Sequence, residues 1–416
     1  MGIFNNNSNS TDQSSDPSVQ PGENAAQLAN DGPAFSGLSG NELYCVNLCG
    51  YRAGNLLVGN SVFALGFIGG VGSNIRTAVG GEIAQVTNMI AQGRRLSIER
   101  FAQELVQSGS PAATGLTSEL IFHPGNVEFL SVGSAIKPIN SDQQNQNGFT
   151  SSSDGKELFC QIDANYMPID FVFGNVAYSL GLARGLLGSL KEMVKGEVTQ
   201  FSNIFNITRN LALERIINEA KNKNANSVVG IRTTILPVGI SPVQEMVMIG
   251  TASYNSNPQV QNAANLVGGV ITSDLTAEEM WNVTKMGYVP LKLVLGTSVY
   301  SLGFVGGIKA GFRNFIKGEI KVLSELIYGA REQSLKKIQQ QAAEIGADDV
   351  LGIKTYIYNI GNGVIEFLAI GTAVKRMPNV STRSEQLPPQ AIIRDKDTFI
   401  NVADISYGTD LQHQKP

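Results

Sequence analysis

Apolar residues between Glu319 and Ile345 recur at helical spacing: Ile320, Leu323, Ile327, Leu335, Ile338 and Ala342. The pattern predicts a long helix with one apolar face. Two β-type runs follow, Asp349 to Tyr358 and Val364 to Ile370. Near the start of the chain, Leu43 to Val58 is rich in β-type residues but broken at Gly50 and Gly54, which predicts a strand with a bend or hairpin. The glycine-rich stretch from about Ser61 to Val79 reads as a first helix. A second helix starts at Gly81 and Glu82 and runs to about Gln107. The order strand, helix, longer helix, strand, strand predicts an α+β unit, a small antiparallel sheet packed on two helices.

This unit occurs three times. Leu65-Gly-Phe-Ile-Gly-Gly70 returns as Leu180-Gly-Leu-Ala-Arg-Gly185 and again as Leu302-Gly-Phe-Val-Gly-Gly307. Shifts of 115 and 122 residues align Glu42–Gly115 with Glu157–Gly230 and Glu279–Gly352 without a gap. Six glycines are identical in all three copies, whereas composition alone predicts about 0.1 such matches over roughly 95 positions. The stretches between copies have linker composition. We therefore expect a polar tail at 1–40, repeats at 41–137, 157–254 and 276–376, linkers at 138–156 and 255–275, and a C-terminal tail at 377–416.

The tails and the charge balance narrow the setting. The first basic residue is Arg52, so the N-terminal stretch lacks the basic and apolar regions of a secretory signal and reads as the flexible tail of a cytoplasmic protein. The C-terminal tail holds one apolar run, Thr398 to Ile405, a candidate strand for docking on a neighbour. The uncharged run from Leu56 to Gly72 imitates a membrane span, but its copies carry Arg184 and Lys309, so no membrane span is expected. A net charge of −4, from 31 Lys+Arg against 35 Asp+Glu, argues against a nucleic-acid partner. Three cysteines and two histidines exclude a disulfide scaffold and a Cys/His-rich zinc module.

The repeated residues offer little chemistry. Gly66 and Gly70, with copies Gly181 and Gly185, Gly303 and Gly307, stand four apart, a spacing that clears one face of a helix for close packing. The rival reading, a phosphate-cradling loop, lacks a strand-GxGxxG-helix order and any Gly-Lys-Ser/Thr. Glu82, Glu197 and Glu319 stand at the expected helix start, where a carboxylate faces the positive end of the helix dipole. Twelve residues on come Arg94, Arg209 and Arg331. Glu128, Glu245 and Glu366 lie in the last strand on the same face as Leu130, Val247 and Leu368. A carboxylate on an apolar face needs a partner, and the repeated arginine is the natural one, within a unit or across an interface; Arg331 with Glu366 is the pair expected in the third copy. Cys45 and Cys49 with His123 form the nearest approach to a metal site. Neither Cys49 nor His123 recurs as a ligand in the other copies, which favours free, buried thiols. No cofactor is expected, and no catalytic constellation can be built three times from two histidines, one of which, His413, lies in the tail.

With these residues laid out, each unit resembles the YbjQ-like family, which carries a heavy-metal-binding label. The resemblance rests on Cys49-Gly-Tyr-Arg-Ala-Gly-Asn-Leu-Leu-Val-Gly59, on the Val79-Gly-Gly81 turn followed by Arg94, and on Ala343-Glu-Ile-Gly-Ala-Asp-Asp-Val-Leu-Gly-Ile353 with Ile370-Gly-Thr-Ala-Val374. Copy one departs from it at Ser108-Gly-Ser-Pro-Ala-Ala. The resemblance implies dodecin-like subunits that assemble into pentameric rings, and metal binding. The expectation drawn from all of this is a non-enzymatic homo-oligomer forming rings or stacked rings, its tails available to a protein partner. The alternative is a binding protein for a heavy metal or small ligand through Cys45 and Cys49.

Overall fold

Ser39, Asp154 and Thr276 each precede a glutamate by three residues, and each caps a nine-residue helix: α1 (Gly40–Leu48), α3 (Gly155–Asp163) and α6 (Ala277–Lys285). In all three the cap oxygen accepts from the glutamate's backbone N–H while the glutamate carboxylate accepts from the cap's N–H, so two orphan donors are satisfied at once. The computed structural model describes residues 33–64, 81–140, 148–179, 196–238, 243–301, 321–361, 364–391 and 399–401. Each unit therefore opens with a helix; in the first it takes the part before Gly50 of the span Leu43 to Val58, where a strand with a bend or hairpin was expected, and the strand begins only at Tyr51. The helix ends at Gly50, Asn165 or Gly287, whose φ values of 84°, 66° and 82° lie in the left-handed region and turn the chain into the first long strand.

Those strands are β1 (Tyr51–Ala64), β6 (Met167–Ser179) and β11 (Tyr288–Ser301). Ser61 to Ala64 thus belongs to a strand and not to the expected glycine-rich helix, whose remainder lies outside the described residues, as do Gly66, Gly70, Gly181, Gly185, Gly303 and Gly307. Next come short strands β2 (Gly81–Glu82) and β7 (Gly196–Glu197) in the first two units, and 24-residue helices in all three, α2 (Ala84–Gln107), α4 (Thr199–Asn222) and α7 (Lys321–Glu344). Antiparallel pairs close each unit: β3 (Ala112–His123) with β4 (Asn126–Pro138), β8 (Ser227–Pro237) with β9 (Val243–Tyr254), and β12 (Asp349–Gly361) with β13 (Val364–Arg376). The class is α+β, as the pattern implied. The closing strand lies between the other two in each sheet, giving the orders β1-β4-β3, β8-β9-β6 and β12-β13-β11.

The stretches of linker composition hold structure of their own. Strands β5 (Phe149–Thr150) and β10 (Ile271–Thr272) add in parallel to the outer edges of β3 and β8 in the preceding unit. Helix α5 (Pro258–Leu266) stands in the second stretch, capped by Asn257 with proline at its first position. After Arg376 the chain packs back: Met377, Val380 and Ala391 join Met280 and Trp281 in one apolar cluster, and the Ser384 hydroxyl donates to Asp163 at 2.7 Å. Strand β14 (Phe399–Asn401), from the run expected to dock on a neighbour, pairs in parallel with this chain's own β12. No helix among the described residues is long and apolar enough to cross a membrane.

Sheet and helix alternate along the chain. Helix α2 packs on its own β1 and β4 and also on β6 of the next unit; α4 packs on β6 and β9 and also on β11. Among the described residues α7 has a sheet, its own, on one face only. The repeated Gly59, Gly174 and Gly296 set the spacing between strand and helix. A Cβ on any of them would stand 2.1 or 2.2 Å from a helix carbonyl oxygen, that of Ser97, Ala212 or Ser334. Gly174→Ala should therefore force strand and helix apart, at a cost of about 1–3 kcal/mol. Gly40→Ala, with nothing within 4 Å of the added carbon, is the control. Thermal denaturation followed by circular dichroism should show a lowered midpoint for the first and none for the second.

Candidate functional site

The recurrent arginines and glutamates meet across unit boundaries. From the third turn of α2, Arg94 reaches Glu245 on β9: Nε donates to Oε1 at 3.2 Å and a terminal nitrogen to Oε2 at 2.7 Å. One unit on, Arg209 of α4 holds Glu366 of β13 in the same way, at 2.8 and 2.7 Å. All four side chains are buried. Each guanidinium is satisfied further: Arg94 donates to the Ser118 carbonyl at 2.7 Å, and Arg209 lies 5.2–6.0 Å from the ring centres of Tyr178, Phe205 and Tyr358. Burial pushes the Glu366 carboxyl up from the usual carboxylate range, and the Arg209 guanidinium pulls it back. The pairing expected inside the third unit is therefore corrected. Glu366 takes Arg209 and not Arg331, because α4 lies against the far face of the third sheet, where Glu366 points.

The apolar part of this joint follows from strand alternation. Along β6, Val172, Val176 and Tyr178 pack with their own α4, while Phe171 and Phe173, on the other face, pack against Ile98, Phe101 and Leu105 of α2. In the third unit Leu293 and Leu295 occupy the Phe171 and Phe173 register and pack with Leu213, Ile216 and Ala220 of α4. Hydroxyls on the helices complete the contact: Thr87 Oγ1 accepts from the Ala177 N–H at 2.9 Å, and Ser202 Oγ accepts from the Val299 N–H at 2.8 Å.

Glu82 and Glu197 serve this joint too, and not a helix dipole. Each lies in a two-residue strand ahead of its helix, which starts at Ala84 or Thr199 without a side-chain cap. Strand β2 adds antiparallel to β6, and β7 to β11, so each short strand belongs to the next unit's sheet. There Glu82 meets Arg215 at 2.7 Å and Glu197 meets Lys337 at 3.2 Å. Glu319 lies outside the described residues. The basic residues Arg100, Arg215 and Lys337 occupy one register but were missed in the sequence. Requiring identity hid them, whereas charge class would have found them.

The metal reading meets a poor donor set. Cys45 is fully buried in α1, and burial pushes its thiol up to about 11. Burial pushes Cys49 up to about 12, with Cys45 and Asp163 adding to the effect, and Cys160 is raised further still by its own burial. A thiol held neutral is a weak metal ligand. No group of three or more His, Cys, Asp or Glu among the described residues stands where it could hold an ion. His123 lies instead against Glu128, its Nε2 2.8 Å from Oε2. The described residues do not fit a heavy-metal centre.

Two measurements check this geometry. Arg209→Met should strand the buried Glu366 carboxylate and destabilise the protein by about 3–5 kcal/mol, while Arg209→Met with Glu366→Leu should recover most of that loss. Additive effects of the two changes in denaturant titrations would show that they do not interact. Thiol alkylation of the folded protein should be slow for Cys45 and Cys49 at pH 8 and accelerate only as the pH approaches 11–12. Fast labelling at pH 8 would contradict the burial described.

The model of the YbjQ family described as "Putative heavy-metal-binding" matches residues 164–255 and again 279–377. The chain is similar to the encapsulin nanocompartment protein of Mycobacterium tuberculosis, 27% identical over 252 residues, covering 58% of this chain and 92% of that protein. It is also similar to a UPF0145 protein of Enterococcus faecalis, 33% identical over 100 residues, 24% of this chain and 92% of the relative. A UPF0145 protein of Pseudothermotoga lettingae is 36% identical over 85 residues, 20% of this chain and 80% of its own length. The second and third units each carry the family's pattern, and the chain belongs to the YbjQ-like, UPF0145 family.

Proposed function

We propose that this protein is a non-enzymatic, self-assembling cytoplasmic scaffold whose three YbjQ-like repeats build ring-like or stacked-ring oligomers. One observation carries the reading: the same head-to-tail joint is made twice in succession, each time by a whole helix face, a whole sheet face and a buried ion pair. A surface used twice within a chain is suited to use between chains. The similarity to a protein named for a nanocompartment, over most of that protein's length, supports it. Each chain brings three units, so a ring of whole chains holds a multiple of three units, and a pentameric ring would be one of five chains.

The second reading, a metal- or small-ligand-binding protein, has the family description and one cavity in its favour. That cavity, of about 490 Å³, lies between α1, α3 and the C-terminal segment, lined in part by Cys49, Asp163 and Arg383. Native mass spectrometry with elemental analysis separates the two. The expected result is a mass at a whole multiple of 44.4 kDa, greater than one, with no stoichiometric transition metal. A monomer at micromolar concentration would overturn the scaffold reading. One zinc, copper or nickel per chain, lost in Cys49→Ala, would establish the binding reading.

A further inference from the structure

We infer that the two ends of the three-unit stack are complementary halves of one more joint of the same construction, closed by a second copy of this chain through Arg331 on one copy and Glu128 on the other. The inference rests on the self-assembly reading. Its grounds are the unfilled positions at either end.

At one end Arg331 occupies on α7 the register of Arg94 and Arg209. It is exposed, and no carboxylate lies against it among the described residues. A groove of about 770 Å³ lies between α7 and β12, starting at Glu332 next in the chain and lined by Leu335, Ile338 and Ala342 together with charged residues that include Asp348 and Asp349. These three stand at the positions of Ile98, Phe101 and Leu105, which receive Phe171 and Phe173, and of Leu213, Ile216 and Ala220, which receive Leu293 and Leu295. Ser324, exposed, is at the position of Thr87 and Ser202.

At the other end β1 presents the matching side chains. Leu56, Val58 and Val62 lie in the register of Phe171, Phe173 and Ala177, and are 47%, 41% and 57% exposed where those counterparts are buried. Glu128 stands on β4 in the register of Glu245 and Glu366. Its Oε1 accepts from Asn60 at 3.3 Å, as Glu245 Oε1 accepts from Asn175 at 3.1 Å. His123 faces Oε2 at 2.8 Å, where Arg94 donates to Glu245. The carboxylate is thus already aimed, and the His123 ring stands in for the guanidinium. Among the described residues, one end offers a cation near an open groove, and the other an anion beside exposed apolar side chains. The contact is heterologous, so it propagates from copy to copy into a ring where the rotation closes and a filament where it does not.

The test uses the full chain. Val62→Cys with Ser324→Cys should give covalent multimers on mild oxidation, visible as a ladder on non-reducing gels, because the corresponding hydroxyl-to-backbone contacts within the chain are 2.8–2.9 Å. With both chains carrying Cys49→Ser, because Cys49 is only partly buried, the chain without the Val62 and Ser324 changes should give none, Cys45 and Cys160 being buried. Arg331→Glu and Glu128→Arg, both at positions exposed or partly exposed in the single chain, should each keep the wild-type circular dichroism and lose the assembly in native mass spectrometry. An oligomer that yields no ladder, or that survives either charge reversal, overturns this inference while leaving self-assembly standing. A wild-type monomer overturns both.

Discussion

The structure depends on a charge that would be prohibitive to bury without its partner in the neighbouring unit. Arg94 and Arg209 are withdrawn from water on helices that have already packed one face on their own sheet, and among the described residues the carboxylates that reach them belong to the next sheet. An unpaired ion there costs several kcal/mol, and an apolar pair of similar volume would be about as stable. The pair therefore contributes selection more than strength. It fixes which face meets which helix, and in which register, among sheets that otherwise present similar apolar alternations. A slip of one residue along β9 or β13 would turn the glutamate to the opposite face and strand both charges.

Everything else in the joint follows that register. Once Glu245 is held, Phe171 and Phe173 fall over Phe101 and Leu105, the Ala177 N–H finds Thr87, and β2 can add to the edge of β6. Because the contact joins a helix face to a sheet face, it is never self-complementary. A stack of such units always has two unlike ends, unlike the capped ends of many repeat proteins, whose outer faces turn polar.

The repeat, the class and the recurrence of arginine and glutamate were legible in the sequence because they are properties of positions. Which arginine meets which glutamate was not. Equal spacing in three copies is compatible with pairing inside a unit or between units, and only the packing of α4 against the third sheet decides it for Glu366. The short opening helices were misread for a different reason. Leu43 to Val58 has β-type composition, but Ser39 with Glu42 forms a capping box whose local hydrogen bonds outweigh it, and the same signal was present at Asp154 and Thr276. Glu82 was read as a helix-dipole residue because glycine before glutamate resembles a helix start, whereas the partner that claims it, Arg215, lies 133 residues away.

The joints inside the chain and the one at its ends are not equal in substance. Phenylalanines at 171 and 173 and leucines at 293 and 295 fill the internal grooves, while Leu56 and Val58 stand at the corresponding terminal positions. Replacing two aromatic side chains with smaller aliphatic ones removes apolar area that would be buried, at about 25 cal/mol per Å². The internal joints also form between tethered units, at an effective concentration no free partner matches. The terminal faces follow the opposite requirement. Each must stay dissolved while uncovered, which smaller side chains, an exposed Arg331 and a Glu128 already hydrogen-bonded to His123 and Asn60 all favour. On the assembly proposed above, the same architecture would supply a permanent contact where the chain is continuous and a weaker, reversible one where it is not. Against the first joint the difference lies in side-chain size at two strand positions, against the second it narrows to Val58 in place of Leu295, and against both it includes His123, which has no counterpart in the other units.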